Sequence, residues 1–324
     1  MKKISLIILM LILTFPTFSN AENIFRIDLS GNYESVEKVI LNGNQFLRKQ
    51  QVRPIPRRHH TMVTINGKDY IYGGYDGTYA LNDLWEYDTI TNEWNKKSDS
   101  PPDGRQGHLA AVHNGEMYIF GGATNHSEAT KDIMKYNPET DIWTVLNNAP
   151  FNLTPRNHGS GAVNENKWYI FAGHTAMAGV INDLSDLWVY DFNSKTWTQK
   201  KSNFYRRSAQ SSAFLDGKMY SFGGDSNHSS NALISIYNPQ TDMWEDVNAG
   251  LGYLHKPSVV VAGNNIYIYA GNNPSNTSDL RIYNPQNYIF ASKANGLETV
   301  NSCAIVADGG KIRIFGGNNF DAVS

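Results

Sequence analysis

Four arginines recur at nearly equal spacing along the 324-residue chain and are the first candidates for binding chemistry. They are Arg57, Arg105, Arg156 and Arg207, which lie 48, 51 and 51 residues apart. A planar guanidinium group binds a carboxylate through two parallel hydrogen bonds, so several converging arginines suit an anionic ligand. The spacing therefore predicts a site for an anionic small molecule, an acidic glycan or an acidic protein segment.

Histidines stand close to the same positions. His60 and His108 each follow one of these arginines by three residues. The other residues assigned to ligand binding are Tyr75, His158, His174 and His228. Imidazole can accept or donate a hydrogen bond, transfer a proton near neutral pH or ligate a metal. Because several of these histidines stand in segments rich in Asn and Ser, we interpret them as hydrogen-bonding groups. We predict no metal, no cofactor and no catalytic residue.

A repeat of about fifty residues places these side chains in equivalent positions. Pairs of small residues follow short β-rich runs at Gly73-Gly74, Gly121-Gly122, Ala172-Gly173, Gly223-Gly224, Ala270-Gly271 and Gly316-Gly317. Counting back sixteen residues from the first member of the first four pairs gives the four arginines. Each unit is predicted to form four short strands, with the small pair ending the second strand and the arginine preceding the innermost one.

An aromatic pattern marks the second half of each unit. Tyrosines at positions 87, 136, 190, 237 and 283 are each followed seven residues later by a large aromatic, namely Trp94, Trp143, Trp197, Trp244 and Phe290. Five occurrences at one fixed offset indicate a structural repeat. We expect these side chains to fill the seams between neighbouring units.

The small pair, the Tyr-Asp or Tyr-Asn dipeptide and the Trp at this period resemble the kelch repeat, which forms β-propeller blades. The resemblance covers nearly the whole chain after residue 21. It implies that arginines at strand starts hold acidic peptide segments, as in cytoplasmic kelch adaptors, or that they bond loop carbonyls of the adjacent blade. On the first interpretation, Arg105→Ala combined with Arg156→Ala weakens binding of an anion and leaves the fold intact.

The fold class is therefore predicted to be all-β, a single six-bladed kelch-type propeller spanning residues 22–324. Blade 6 is expected to form from residues 300–324 and to be closed by N-terminal strands from residues 23–36. Residues 37–56 are expected to be a long connection with a helical turn. A truncated seven-bladed ring is the alternative.

The resemblance also raises two enzyme hypotheses. Galactose oxidase shares the kelch propeller and links a Tyr to a Cys, which draws attention to Cys303, but its adjacent Tyr-His ligands are absent. The N-acetylneuraminate epimerases are six-bladed periplasmic propellers. The alternative function is accordingly a sugar-acid mutarotase, in which arginines hold the carboxylate and a histidine serves as general base. Whether the chain is an enzyme is left open, and a binding module is preferred.

The N-terminus is predicted to be a signal peptide, residues 1–21. Lys2 and Lys3 precede an apolar run from Leu6 to Leu13, and small residues stand before the expected cut after Ala21. Secretion or a periplasmic location follows, and the eight-residue run is too short to span a membrane. The net charge of −2 argues against a nucleic-acid partner.

Overall fold

The computed structural model describes residues 36–41, 44–49, 52–100, 104–125, 128–146, 148–177, 180–226, 229–230, 233–248, 254–269, 280–286, 289–294 and 302–317. Every regular element in these ranges is a β-strand. Within them, no helix is long and apolar enough to cross a membrane. The all-β prediction is confirmed.

Blades 1 and 2 are four-stranded antiparallel sheets whose strands follow one another in space as in sequence. Blade 1 contains β3 (Thr61–Ile65), β4 (Lys68–Tyr72), β5 (Leu84–Asp88) and β6 (Glu93–Lys96). Blade 2 contains β7 (Leu109–His113), β8 (Glu116–Phe120), β9 (Ile133–Asn137) and β10 (Ile142–Val145).

Blades 3 and 4 add a small hairpin in the loop between their second and third strands. Blade 3 contains β11 (Ser160–Asn164), β12 (Lys167–Phe171), β15 (Leu187–Asp191) and β16 (Thr196–Lys200), with the hairpin β13 (His174–Met177) and β14 (Val180–Asp183). Blade 4 contains β17 (Ser211–Leu215), β18 (Lys218–Phe222), β21 (Leu233–Asn238) and β22 (Met243–Asn248), with the hairpin β19 (Asp225–Ser226) and β20 (Ser229–Ser230).

The last two sheets complete the array. Blade 5 contains β23 (Ser258–Ala262), β24 (Asn265–Tyr269), β25 (Leu280–Asn284) and β26 (Ile289–Ala294). A two-stranded sheet of β27 (Ala304–Asp308) and β28 (Lys311–Phe315) follows, and β27 contacts both β23 and β3. Among the described residues there are thus five blades rather than the predicted six. The reason is that the Tyr-Asn and Trp marks of outer strands do not recur after Gly317.

The predicted closure by N-terminal strands is not confirmed. Residues 23–35 lie outside the described residues, and residues up to Gln51 group as a unit of their own. In that unit β1 (Val36–Leu41) pairs antiparallel with β2 (Asn44–Lys49). The helical turn expected between residues 37 and 56 is therefore wrong, because most of this segment forms a hairpin.

The aromatic pattern acts as predicted at the blade seams. The seven-residue offset makes each pair direct cross-strand partners of strands three and four, as in Tyr136 opposite Trp143. Trp143 then reaches back to Tyr72 of blade 1, with ring centroids 5.0 Å apart. In the next seam, Trp197 of blade 3 contacts Phe120 of blade 2 in the same way, with ring centroids 5.2 Å apart. Tilted aromatic pairs of this kind stabilise beyond the area they bury.

Glycine pairs make the second link between blades. The amide of Gly122 donates to the carbonyl of Arg156 in the next blade at 2.8 Å, and that of Gly317 donates to the carbonyl of Arg57 at 2.9 Å. The latter bond joins the two-stranded sheet to blade 1. Gly122 has a φ of +96°, and a Cβ on it would lie 2.8 Å from Cβ of His108. Only glycine meets both requirements.

A ring of six left-handed residues lies where the inner strands begin. Its members, here called the channel ring, are His59, Gly107, His158, Ala209, Lys256 and Ser302, with φ between +48° and +62°. Five backbone hydrogen bonds of 2.8–3.1 Å join them, each amide donating to the carbonyl of the ring member in the preceding repeat, and that of His59 donating to Ser302. The left-handed conformation turns each residue toward the axis before its strand starts. This ring fixes the geometry of the candidate site.

Candidate functional site

A cavity of about 130 Å³ opens at the channel ring. Its lining consists of the six ring members and the residues that follow them, namely His60, His108, Gly159, Gln210, Pro257 and Cys303. Each inner strand thus contributes an equivalent pair of residues. The cavity lies on the face of the propeller where inner strands begin and where the loops after the glycine pairs emerge. We call this the entry face.

Five half-buried side chains of the entry face form a polar cluster around the cavity, which we call the mouth: Arg58, His59, His158, His174 and Lys256. The rings of His59 and His158 meet edge to face, with centroids 4.6 Å apart. His158 in turn stacks on His174 at 5.2 Å. The mouth therefore joins side chains from blades 1 and 3 with one that precedes blade 5.

Lys256 and His59 make the closest polar contact of the mouth. Nζ of Lys256 lies 3.2 Å from Nε2 of His59, and Nδ1 of His59 lies 3.2 Å from Oε1 of Gln106. Since an amide oxygen only accepts hydrogen bonds, Nδ1 carries the proton and Nε2 accepts from the lysine. Gln106 thereby fixes the tautomer of His59.

Arg58 stands beside this pair. Its guanidinium group lies over the ring of Tyr75, 5.3 Å from the centroid, and the two residues also pair through their backbones. A cation over an aromatic face is held without losing its charge. Tyr75, a predicted ligand-binding residue, thus positions Arg58 at the mouth.

Burial keeps the imidazoles of the site neutral. Desolvation, with the charge of Lys256 as the next cause, lowers the pKa of His59 to about 3. Desolvation also lowers the pKa of His158 well below its usual value, and less so that of His174. For Lys256, burial followed by the charge of Arg58 lowers the pKa from its ordinary value. Neutral imidazoles can therefore accept hydrogen bonds beside two basic groups.

The four predicted arginines are not at the mouth. Arg57, Arg105, Arg156 and Arg207 are each at most 2% exposed. The guanidinium group of Arg156 donates two hydrogen bonds to the carboxylate of Asp186, at 2.8 and 2.7 Å, and a third to the carbonyl of Ala172 at 3.2 Å. The four guanidinium groups are therefore bonded within the fold and do not line the cavity, although Nε of Arg105 and two nitrogen atoms of Arg207 have no hydrogen-bond partner in the described residues.

The same arrangement recurs with small changes. Arg57 makes two hydrogen bonds to Asp83, and Arg105 makes one to Asp132. Arg207 bonds Oγ of Ser235 instead and lies 3.9 Å from Asp246. The main carbonyl partner belongs to the same blade, as in Gly73 for Arg57, rather than to the adjacent blade. Arg57, Arg105 and Arg156 thus tie the start of the inner strand to the loop that leads into the third strand, whereas Arg207 bonds the third strand itself.

His60 and His108 line the cavity wall, but their rings are also bonded within the fold. Nε2 of His60 lies 3.0 Å from the carbonyl of Phe315, and Nε2 of His108 lies 2.8 Å from Oγ1 of Thr61. Desolvation lowers the pKa of both to about 3. Cys303 is buried, 3.2 Å from Oγ of Ser258, and burial raises its thiol pKa to about 11. His228 lies outside the described residues.

The sequence reasoning missed Arg58, Gln106 and Lys256. A signal was present, because counting back fourteen residues from each small pair gives the six members of the channel ring. Their residue types share no property, so the count alone does not mark them. In the residues that the structure describes, no group of three His, Cys, Asp or Glu could hold a metal ion.

Comparison with known proteins fits this architecture. A family model described as the KLHDC2/KLHL20/DRC7 Kelch-repeats domain matches residues 44–206, and one described as the Kelch motif matches residues 206–249. The first match alone covers half of the chain. The chain belongs to the kelch-repeat family. It is thus a kelch-repeat domain, an architecture that generally serves protein interaction.

Curated relatives share this repeat at low identity. The chain is 25% identical to Kelch-like protein 36 of Mus musculus over 239 residues, which are 70% of this chain and 38% of that protein. It is 26% identical to Kelch-like protein terF of Aspergillus terreus over 245 residues, 68% of this chain and 52% of that protein. It is 24% identical to Beta-scruin of Limulus polyphemus over 234 residues, which are 67% of this chain and 25% of that protein. The matches thus span a quarter to about half of these relatives.

Proposed function

We propose that this kelch propeller is an interaction module that binds an acidic segment of a protein partner at the mouth. The observation that carries the proposal is the convergence of Arg58 and Lys256 with three neutral histidines around a cavity on the propeller axis. A carboxylate placed there meets two basic groups, and the guanidinium group of Arg58 and the lysine nitrogen can each donate hydrogen bonds to it. Such charge-assisted hydrogen bonds are roughly twice as strong as neutral ones.

Exposed aromatic side chains favour a protein segment over a small anion. Phe151 is 100% exposed, Phe204 86% and Tyr79 62%. All three stand in loops of the entry face, in blades 1 to 4. Aromatic residues are enriched in protein interfaces, where they supply contact area at low conformational cost. A chain reaching from these loops to the mouth would contact both features.

The alternative of a sugar-acid mutarotase loses its main support. That hypothesis used the four repeat arginines to hold a sugar carboxylate, and these are paired with acidic or hydroxyl groups of their own blades. A carboxylate ligand would have to displace Asp186 from a bidentate contact. We therefore propose binding and no turnover of a sugar acid.

A labelled hexaglutamate peptide tests the proposal by fluorescence anisotropy at low salt. We expect saturable binding that Arg58→Ala weakens about tenfold, since losing one hydrogen bond to a charged group costs about 1.5 kcal/mol or more. Arg206→Ala is the matched control, because Arg206 is exposed on the same face and lies outside the mouth. Equal weakening by both variants, or no binding of hexaglutamate, would refute the proposal.

We also propose that residues 1–21 direct export and are removed. The support is the lysine-led apolar run and the small residues before Glu22. Expression in a bacterial host followed by mass measurement of the periplasmic protein tests this. We expect a chain that starts at Glu22, whereas recovery of the full-length chain in the cytoplasm would contradict it.

A further inference from the structure

We propose that Lys256 is a reactive amine that forms a covalent imine with a small 2-oxo acid in the cavity of the channel ring. This inference goes beyond partner binding at the mouth. It assigns a chemical role to a lysine, a histidine and a glutamine that stand in contact.

The contact has the arrangement of an activated nucleophile. Nζ of Lys256 lies 3.2 Å from Nε2 of His59, whose opposite nitrogen lies 3.2 Å from Oε1 of Gln106. A nucleophile in hydrogen-bond reach of a base, with that base oriented by a third group, is the pattern shared by nucleophilic enzymes. Gln106 keeps the proton on Nδ1, so Nε2 of His59 faces the lysine nitrogen as an acceptor that can relay a proton during the reaction.

The surroundings of Lys256 favour the neutral amine. Lys256 is half-buried among His59, His158, His174 and Arg58, with Asp225 as the acidic group that acts on it. Burial and the neighbouring guanidinium group lower its pKa. Desolvation and a cationic neighbour are the two means by which proteins make lysines nucleophilic.

A second imidazole can hold the intermediate. Nδ1 of His158 lies 3.3 Å from Oδ1 of Asn157, so it donates there, and Nε2 remains an acceptor. That Nε2 is buried and has no hydrogen-bond partner in the described residues, although it lines the cavity. Leaving such an atom unpaired costs about 1–3 kcal/mol. A hydroxyl group of a bound carbinolamine would satisfy it.

The reaction balances without a further reactant. The neutral amine nitrogen of Lys256 forms a bond to the carbonyl carbon, and the carbonyl π electrons move to oxygen. One proton passes from this nitrogen, by way of Nε2 of His59, to that oxygen and gives the carbinolamine. Loss of this oxygen as water, with a second proton from nitrogen, leaves the C=N bond. The net change is amine plus carbonyl compound to imine plus water.

The cavity selects the class of carbonyl compound. Its volume of about 130 Å³ admits a molecule of a few heavy atoms. Arg58 lies close enough to act on Lys256 electrostatically and can bind a carboxylate next to the reacting carbonyl. Both features suit a short 2-oxo acid such as glyoxylate.

Glyoxylate with cyanoborohydride tests the inference on the intact chain. The reductant converts the imine to a stable carboxymethyl-lysine, which peptide mapping by mass spectrometry assigns to a residue. We expect Lys256 to react about a hundredfold faster than Lys218, because a positioned proton-transfer group accelerates a reaction by about this factor. Lys218 is an exposed lysine at the start of β18 and serves as internal control. Equal rates at both lysines would overturn the inference.

Two variants and a second aldehyde separate the parts of the inference. His59→Asn removes the imidazole and keeps a residue type that tolerates positive φ. We expect the rate of carboxymethylation at Lys256 to fall about a hundredfold, while the rate at Lys218 is unchanged. His113→Asn, the control, removes an imidazole that stacks on Phe192 at the far end of the inner strand of blade 2, away from the mouth, and we expect no change. A rate at Lys256 that survives His59→Asn, or acetaldehyde reacting as fast as glyoxylate, would contradict the proposal. Neither result depends on binding of an acidic peptide.

Discussion

A single buried arginine holds each of blades 1 to 4 together at the point where its inner strand begins. Arg156 is 1% exposed and its bidentate partner Asp186 has a side chain 19% exposed. In blade 3 the same carboxylate also accepts a hydrogen bond from Nε1 of Trp188 at 2.8 Å. The arginine, aspartate and tryptophan thus connect three segments of one blade.

Removing Arg156 is therefore expected to destabilise the fold. Arg156→Ala leaves a carboxylate and a carbonyl group without their partner, and we expect a loss of about 3 kcal/mol in the free energy of unfolding. Urea unfolding followed by tryptophan fluorescence measures it. Arg206→Ala, at the exposed position just before Arg207, is expected to change the free energy of unfolding by less than about 0.5 kcal/mol. Similar values for the two variants would argue against this role.

Buried histidines make the fold sensitive to acid. The pKa of His108 is lowered by desolvation to about 3 in the folded state, against an ordinary value of 6.5. Between these two values the unfolded chain binds the proton and the folded chain does not. Stability from this group is therefore complete above about pH 6.5 and declines as the pH falls, by up to about 1.4 kcal/mol per pH unit.

His108→Gln should flatten that decline. Urea unfolding at pH 7 and at about pH 5 gives the loss of stability for each variant, and we expect the loss to be smaller for His108→Gln than for the natural chain. The matched control is His113→Gln. His113 stacks on Phe192 at the far end of the same inner strand, with centroids 4.3 Å apart. An unchanged pH dependence in His108→Gln would contradict the assignment.

At the residue scale, the sequence predicts the equivalent positions of the buried arginines but does not predict their structural role. The sixteen-residue count found Arg57, Arg105 and Arg156 correctly as equivalent positions. Their partners Asp83, Asp132 and Asp186 also recur, each one residue before a third strand. A spacing pattern shows that two groups recur together, yet it does not show that their side chains meet within the blade. That information comes from the twist of the sheet.

At the scale of elements, the second glycine of a pair decides how closely the end of the second strand packs against the start of the inner strand of its own blade. Gly122 and Gly115 both have positive φ, at +96° and +75°. A Cβ on Gly115 would meet nothing within 4 Å, whereas one on Gly122 would lie 2.8 Å from Cβ of His108 and 3.0 Å from the carbonyl oxygen of Gln106. The two positions therefore share backbone strain and differ in crowding.

Alanine at the two positions separates these effects. Gly115→Ala is expected to cost about 1 kcal/mol through left-handed backbone strain. Gly122→Ala adds overpacking, which typically costs a further 1–3 kcal/mol or so. Thermal and urea unfolding of both variants measure the difference. Equal costs would mean that the small pair serves backbone conformation alone.

Strands were well predicted where the repeat marks were present. The offset from Tyr to Trp gave the register of the outer strands, because residues seven apart across a tight turn become cross-strand partners, as in Tyr190 and Trp197. The hairpin of β1 and β2 was missed since it lies outside the repeat. Asn42 and Gly43 stand between its strands, and Asn-Gly is the dipeptide that most favours a two-residue hairpin turn.

At the scale of the whole molecule, the two-stranded sheet joins blade 5 to blade 1. Oγ of Ser258 donates to the carbonyl of Cys303 at 2.8 Å on one side. On the other side, Arg313 forms an ion pair with Asp69, whose side chain is 2% exposed. The sheet therefore supplies contacts that neither neighbouring blade could make with the other across the gap.

A truncated chain tests this role. Ending the chain before Ser302 removes β27 and β28, exposes the inner strands of blades 1 and 5 and leaves Asp69 buried without its arginine. We expect loss of the cooperative unfolding transition measured by circular dichroism. Ending the chain after Gly317 is the control and should keep the transition. Cooperative unfolding of the shorter chain would show that closure is dispensable.

The blade count depends on information that the repeat marks did not contain. Six small pairs predict six units, but only five carry the Tyr and Trp or Phe marks of the outer strands, and the described residues form five four-stranded blades. The spacing of the repeat marks does not identify the segment that lies beside β28. The candidate residues 25–36 have Ile27-Asp28 in place of Tyr-Asp and Tyr33 near the position of the Trp.

Carbodiimide coupling tests the central claim, that acidic segments bind at the mouth, most directly. The reagent joins a bound carboxylate to a lysine within contact distance, and peptide mapping identifies the lysine. With hexaglutamate we predict coupling at Lys256 that falls sharply in high salt and in Arg58→Ala, and little coupling at Lys218 on the opposite face. Coupling that favours Lys218, or that is unaffected by salt and by the variant, would contradict the account.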